Sequence, residues 1–199
     1  MSHSGKLTID DLRALISSSE IETVLVAFTD LYGRLMGKRF DAQFFLTTVA
    51  ENGTHGCDYL LTVDMEMEPV TGYKFANWTS GYGDMHLVPD LSTLRLADWL
   101  DKTAIVLCDI FDNSSHELVP LAPRSLLKRQ IERCAKFGFT AKSASELEYY
   151  IFRDSYQEAS ESEYRNLNAA SWYLEDYHVM QGAREEDLNA TVRRHLSRS

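Results

Sequence analysis

The run Ser145-Glu-Leu-Glu-Tyr-Tyr-Ile-Phe152 sets two carboxylates into a stretch that is otherwise mostly aromatic and aliphatic. With no Gly or Pro to interrupt it, this composition predicts a β-strand. Alternation then puts Glu146, Glu148, Tyr150 and Phe152 on one face, and Leu147, Tyr149 and Ile151 on the other. Two residues of strand rise separate the carboxylates by about 7 Å at the backbone. Like charges buried at that spacing are costly unless something positive lies beside them. Two readings stay open on the pattern alone. The strand is an edge whose Glu side chains face water, or its carboxylates are hard oxygen ligands for divalent cations.

The chain has 199 residues, enough for one large domain or two small ones, and 44% hydrophobic residues suffice for a packed core. A formal charge of −10 argues against nucleic acid and anionic membrane surfaces as partners, because the long-range field repels polyanions. Cys57, Cys108 and Cys134 are widely spaced and odd in number, with no disulfide or zinc-ligand pattern; each sits in an apolar setting that suits a small core residue. No signal-peptide core and no apolar run of membrane length occurs, so a soluble, cytoplasmic protein is expected.

Along the chain, Thr8 is a candidate N-cap for a first helix with Leu12, Leu15 and Ile16 at helical spacing. Residues 23–29 and 34–40 are expected strands, joined by a hairpin at 30–33 in which Gly33 can take positive φ. Asp41 is the expected N-cap of a helix over 44–50, closed at Asn52-Gly53. Further strands are expected at 57–63, 85–89, 103–111 and 116–119. Residues 64–84 have no clean period, yet carry Tyr73, Phe75, Trp78 and Tyr82; a long aromatic loop of this kind is expected to pack on something, a second subunit included. Pro120-Leu-Ala-Pro123 marks a boundary, followed by a helix over 124–137 ended by Gly138. Residues 155–168 look irregular, and 185–198 form a final helix with acids first and bases last. The division expected is an N-terminal helix at 1–20, an α+β domain at 21–119 and a further domain from 120 to 199.

Four segments resemble the glutamine synthetase family, and more closely its amine-ligating branch, the γ-glutamylpolyamine and γ-glutamyl-amine synthetase-like proteins. They are Val26-Ala-Phe-Thr-Asp-Leu-Tyr-Gly-Arg-Leu-Met-Gly-Lys38, Gly81-Tyr-Gly-Asp-Met-His-Leu-Val-Pro-Asp-Leu-Ser-Thr-Leu-Arg95, Pro123-Arg-Ser-Leu-Leu-Lys128 and Glu146-Leu-Glu-Tyr-Tyr-Ile-Phe152. They occur in the family's order and cover the chain from about residue 21 onward. The resemblance implies a β-grasp-like N-terminal domain, followed by the start of a glutamine synthetase-type catalytic α/β domain. It implies ATP-dependent ligation of ammonia or an organic amine to the γ-carboxyl of glutamate, through a γ-glutamyl phosphate. It also implies two divalent cations, Mg²⁺ or Mn²⁺, with Glu146 serving the ion nearer the ATP phosphates and Glu148 the ion nearer glutamate. Active sites between the subunits of a homo-oligomeric ring would account for the 64–84 loop.

Asp84 is the acid of that loop held in a family-like motif, where ammonia-using members place an Asp that takes the proton of the incoming ammonium. The usual loop sequence is missing, which suits an organic amine, and Asp84 can equally be a turn residue capping a strand. The family's remaining metal carboxylates, its metal-binding His and its Arg residues for glutamate and phosphate have no counterpart in the 199 residues. The chain by itself is therefore expected to be inactive and to expose apolar surface that favours aggregation. The alternative is a non-catalytic glutamine synthetase-like binding or interaction protein. Two other patterns carry less. Glu175-Asp-Tyr-His178 offers Asp176 and His178 on one strand face with no further ligand at a recognisable spacing, and Arg193, Arg194 and Arg198 suit the C-terminal end of a helix.

Overall fold

The computed structural model describes residues 5–79, 81–171, 177–179 and 183–199. The chain divides into two compact units, residues 1–141 with 198–199, and residues 142–197.

The first unit is a mixed sheet with helices. Helix α1 (Ile9–Ser17) starts in a capping box: the Thr8 hydroxyl accepts from the Asp11 N–H, and the Asp11 carboxylate accepts from the Thr8 N–H. Leu12 from this helix is fully buried. Strands β1 (Thr23–Thr29) and β2 (Leu35–Asp41) pair antiparallel, from Thr23 opposite Asp41 to Thr29 opposite Leu35. Gly33 takes φ 80° in the turn between them. Asp41 caps the next helical stretch by accepting from the Phe44 N–H. That stretch runs through α2 (Ala42–Phe44), a π-helical turn at Phe45–Val49 and α3 (Ala50–Asn52). The π turn has no signal in the sequence; it lets Phe45 and Val49 both point into the core.

Beyond the helices come β3 (Thr54–Cys57), β4 (Asp84–Pro89), β5 (Arg95–Leu96) and β6 (Thr103–Asp112). The strand order is β2-β1-β6-β4-β3, with β5 also on β6. β1 lies parallel to β6 along residues 103–107, while β4 and β5 run antiparallel to it. Val24, Val26 and Phe28 of β1 and Ala104, Val106, Cys108 and Ile110 of β6 build the main core with Leu12, Phe45, Val49, Met85 and Leu87. Ala27 and Ile105 occupy the opposite face with Ala97, so β1 and β6 are covered on both sides.

Two strand expectations fail here. Residues 57–63 are not a strand: β3 ends at Cys57 and a 3₁₀ turn covers Asp58–Leu61. Its Leu61, Thr62 and Val63 are consecutive and all buried, which no half-buried strand allows. Residues 116–119 make only a bridge, Phe111 with Leu118.

Pro123 opens helix α4 (Pro123–Lys136), and Gly138 follows its end with φ 78°. Arg124 and Lys128, one helical turn apart, both face the sheet. Arg124 Nε donates to Asp109 Oδ1 at 2.9 Å and its Nη2 to Asp90, while Lys128 donates to Asp109 and lies 3.9 Å from Asp90. Hydrogen bonds from the Ser92 hydroxyl and N–H, with the two cations, hold the Asp90 carboxyl below its ordinary value. The helix's apolar residues Leu126, Leu127 and Ile131 remain exposed.

In the second unit residues 142–150 have no regular structure, so the strand expected at 145–152 does not form. Strand propensity expresses the fit to neighbouring strands, and no described segment pairs with 145–151 as a ladder. Only Phe152 bridges Ala169, supported by Asp154, which accepts from the Asn168 N–H at 2.6 Å and from its side-chain amide at 2.8 Å. Instead of an irregular stretch after it, α5 (Tyr156–Glu161) forms behind a capping box of Ser155 and Glu158, a signal that sits in the sequence at the required spacing of three. The expected final helix is α6 (Ala183–Arg198).

Removing the central acid of the α4 network leaves two partly buried cations facing Asp90 alone. Asp109→Ala is expected to lower unfolding stability by about 1–3 kcal/mol in urea denaturation, and Asp109→Asn by less. A loss below about 0.5 kcal/mol would mean that the network does not hold the helix.

Candidate functional site

The 64–84 loop is tied to the sheet at its start. Asp30, buried in the β1–β2 turn, accepts from the Tyr32 and Arg34 N–H groups, each at 2.9 Å, and from Arg34 Nε at 2.6 Å. Held in this way, the Arg34 guanidinium donates to the carbonyls of Met65 at 2.9 Å and Asp64 at 3.0 Å. The spacing of Asp30 and Arg34 across a turn was a visible signal, although its reach to residues 64–65 was not. At the far end, Tyr82 makes edge-to-face contacts with Trp78 at 5.3 Å and Tyr59 at 5.9 Å. The loop thus packs partly on its own unit, and Trp78 is left 79% exposed.

Asp84 ends this loop as the first residue of β4, opposite Cys57, and its side chain is exposed. Beside it lies an acid not singled out from the sequence. Asp58 donates its N–H to the Gly83 carbonyl at 2.9 Å and accepts the Gly83 N–H on Oδ2 at 3.0 Å. Burial pushes the Asp58 carboxyl above its ordinary value; bonds from Gly83 and Tyr59 oppose this, and the charges of Asp84 and Asp112 add to it. Asp112, opposite Met85, is held low by the Ser115 N–H and hydroxyl and the Ser114 N–H. Reading β3 as 54–57 would have placed Asp58 next to Asp84.

Glu146 and Glu148 lie in the second unit, both exposed, within the irregular 142–150 segment. Glu175 and Asp176 of the other acidic pattern lie outside the described residues. Among the described residues no group of three or more His, Cys, Asp or Glu side chains converges to hold a metal ion. Cys108 is buried in the main core, and burial pushes its thiol up to about 12, as an inert core residue requires. No helix among the described residues is long and apolar enough to cross a membrane.

The raised Asp58 value has a definite sign. Folding favours its protonated form, so the stability it contributes below its ordinary value of 3.8 is lost as pH rises through the folded value. Asp58→Asn keeps an acceptor for Gly83 and removes the charge. Its Tm at pH 7 is expected to equal or exceed the parent's, with the difference shrinking toward pH 3. A clear drop at pH 7 would show that the ionised carboxylate is required.

Residues 120–198 match the family model of the glutamine synthetase catalytic domain. Over 192 residues the chain is 43% identical to gamma-glutamylethanolamide synthetase GlnA4 of Streptomyces coelicolor, which covers 96% of this chain and 41% of that protein. Over 196 residues it is 34% identical to glutamate–isopropylamine ligase of a Pseudomonas species, covering 98% of this chain and 42% of that one. A solved structure described as a GmaS/ADP complex aligns at 25% identity with a TM-score of 0.48, over 64% of this chain and 26% of the other. The chain spans about two fifths of the length of the two ligases it matches. The chain is thus similar to the glutamine synthetase catalytic domain over residues 120–198, and over nearly all its residues to two proteins named as a gamma-glutamylethanolamide synthetase and a glutamate–isopropylamine ligase.

Proposed function

We propose that this chain is part of an ATP-dependent ligase that joins an organic amine, or ammonia, to the γ-carboxyl of glutamate through a γ-glutamyl phosphate. The observation that carries this reading is the 43% identity, across 96% of the chain, to a protein named for making a γ-glutamyl amide. Residues 21–119 would be a β-grasp-like domain; the mixed sheet with β1 parallel to β6 supports that. Residues 120–199 would belong to the catalytic domain, and the exposed apolar residues of α4 suit a helix that lies within a larger domain.

Glu146 and Glu148 would each give oxygen ligands to divalent cations, Mg²⁺ or Mn²⁺. Their chemistry fits such hard ions, and their exposure leaves the carboxylates accessible. The described residues add no third converging ligand, so the pair fits as part of a site and not as a whole one. Bound cations would neutralise charge on the transferred phosphoryl group of ATP. Asp84 would face the incoming amine, at the end of a loop whose exposed Trp78 suits contact with another copy in a homo-oligomeric ring.

Phosphate release from ATP, measured in the protein that carries this chain, tests the reading. Release is expected to need glutamate together with an organic amine such as ethanolamine, isopropylamine or putrescine. Glu146→Gln and Glu148→Gln should each lower it at least about a hundredfold. Release with ammonia alone would remove the organic-amine assignment, and no glutamate-dependent release with any amine would leave a binding protein. Calorimetric titration of the 199 residues with Mn²⁺ should show affinity weaker than about 0.1 mM. Tight stoichiometric binding would mean that the ligand set is complete within them.

A further inference from the structure

His55 of β3 and His86 of β4 stand directly opposite each other, with ring centroids 4.8 Å apart and planes inclined by 16°. The bond from the Asp58 N–H to the Gly83 carbonyl sets the ladder's alternation. Counting back from it makes 55 and 86 a non-hydrogen-bonded pair, the type in which facing side chains come closest. His86 is built into place. Its Nε2 lies 2.8 Å from the Asn52 carbonyl, and Gly53 leaves the space the ring fills, since a Cβ there would come 2.5 Å from Nε2. A carbonyl only accepts, so Nε2 carries the proton and the lone pair of neutral His86 is on Nδ1. No hydrogen bond among the described residues engages that Nδ1 or the His55 ring. A backbone carbonyl fixing the tautomer from behind is the support that metal-binding histidines usually have.

We propose that His55 and His86 form a two-imidazole site for a borderline transition-metal ion such as Zn²⁺, with water completing the coordination. His86 Nδ1 supplies the fixed ligand. His55 is exposed and on the outermost strand, so a side-chain rotation from the stacked position turns its nitrogen toward the same ion. Cys57 and Asp84 lie on the same sheet face one pair along, about 7 Å away, and stay outside the site. Imidazole ligands select ions softer than the Mg²⁺ or Mn²⁺ suited to Glu146 and Glu148, so the pair differs from those carboxylates in the ion it takes.

Zn²⁺ titration of the full chain tests this, followed by calorimetry and by NMR of the histidine rings in a His3→Ala background that removes the amino-terminal imidazole. One ion per chain is expected, with the His55 and His86 signals shifting together. His55→Asn and His86→Asn should each weaken binding at least about tenfold at unchanged circular dichroism, and Cys57→Ser should leave it as in the parent. Shifts confined to His116, His178 or His195, loss of binding in Cys57→Ser, or no saturation by about 1 mM Zn²⁺ would each overturn the proposal.

Discussion

Strand β6 is the constraint on which the larger unit depends. Buried backbone groups need partners, and a ten-residue strand in the middle of a core has two edges to satisfy. β1 serves one edge at residues 103–107, while β5 and then β4 take the other in succession. The 3₁₀ turn at Leu91–Thr93 makes that relay possible. Asp90 donates its N–H to the Leu107 carbonyl, and the Thr93 hydroxyl accepts the Leu107 N–H, just where β4 hands over to β5.

The same place carries the charge network. Asp90 lies at the hand-over point and Asp109 on β6, so Arg124 and Lys128 fasten α4 to the spot where the sheet changes partners. An apolar contact there would be indifferent to rotation of the helix; two cations against two carboxylates fix it. Leu127 and Ile131 lie on the same side of α4 as Arg124 and Lys128, three residues on from each, and yet stay exposed, so the ion pairs and not an apolar stripe make this contact.

Much of the fold was legible because its signals are local. Thr8, Asp41, Gly33 and Pro123 act through bonds or dihedrals within a few residues, and each sits where the sequence places it. The segments 57–63 and 145–152 failed because strand identity depends on neighbours. Residues 61, 62 and 63 are all buried, and 145–151 meets no described ladder. The candidate site was legible only as residue types. The carboxylates at 146 and 148 are visible as a chemical type, whereas convergence is a long-range property that spacing along the chain does not encode. Asp58 was hidden for the same reason, since only the pairing of β3 with β4 brings it beside Asp84.

Arg34 grips the loop after residue 62 through the carbonyls of Asp64 and Met65, and therefore through main chain alone. An attachment of that kind is blind to side-chain identity. The residues beyond it can be exchanged without loosening the anchor, so the loop that ends at Asp84 is free to vary in sequence while its point of departure from the sheet stays put.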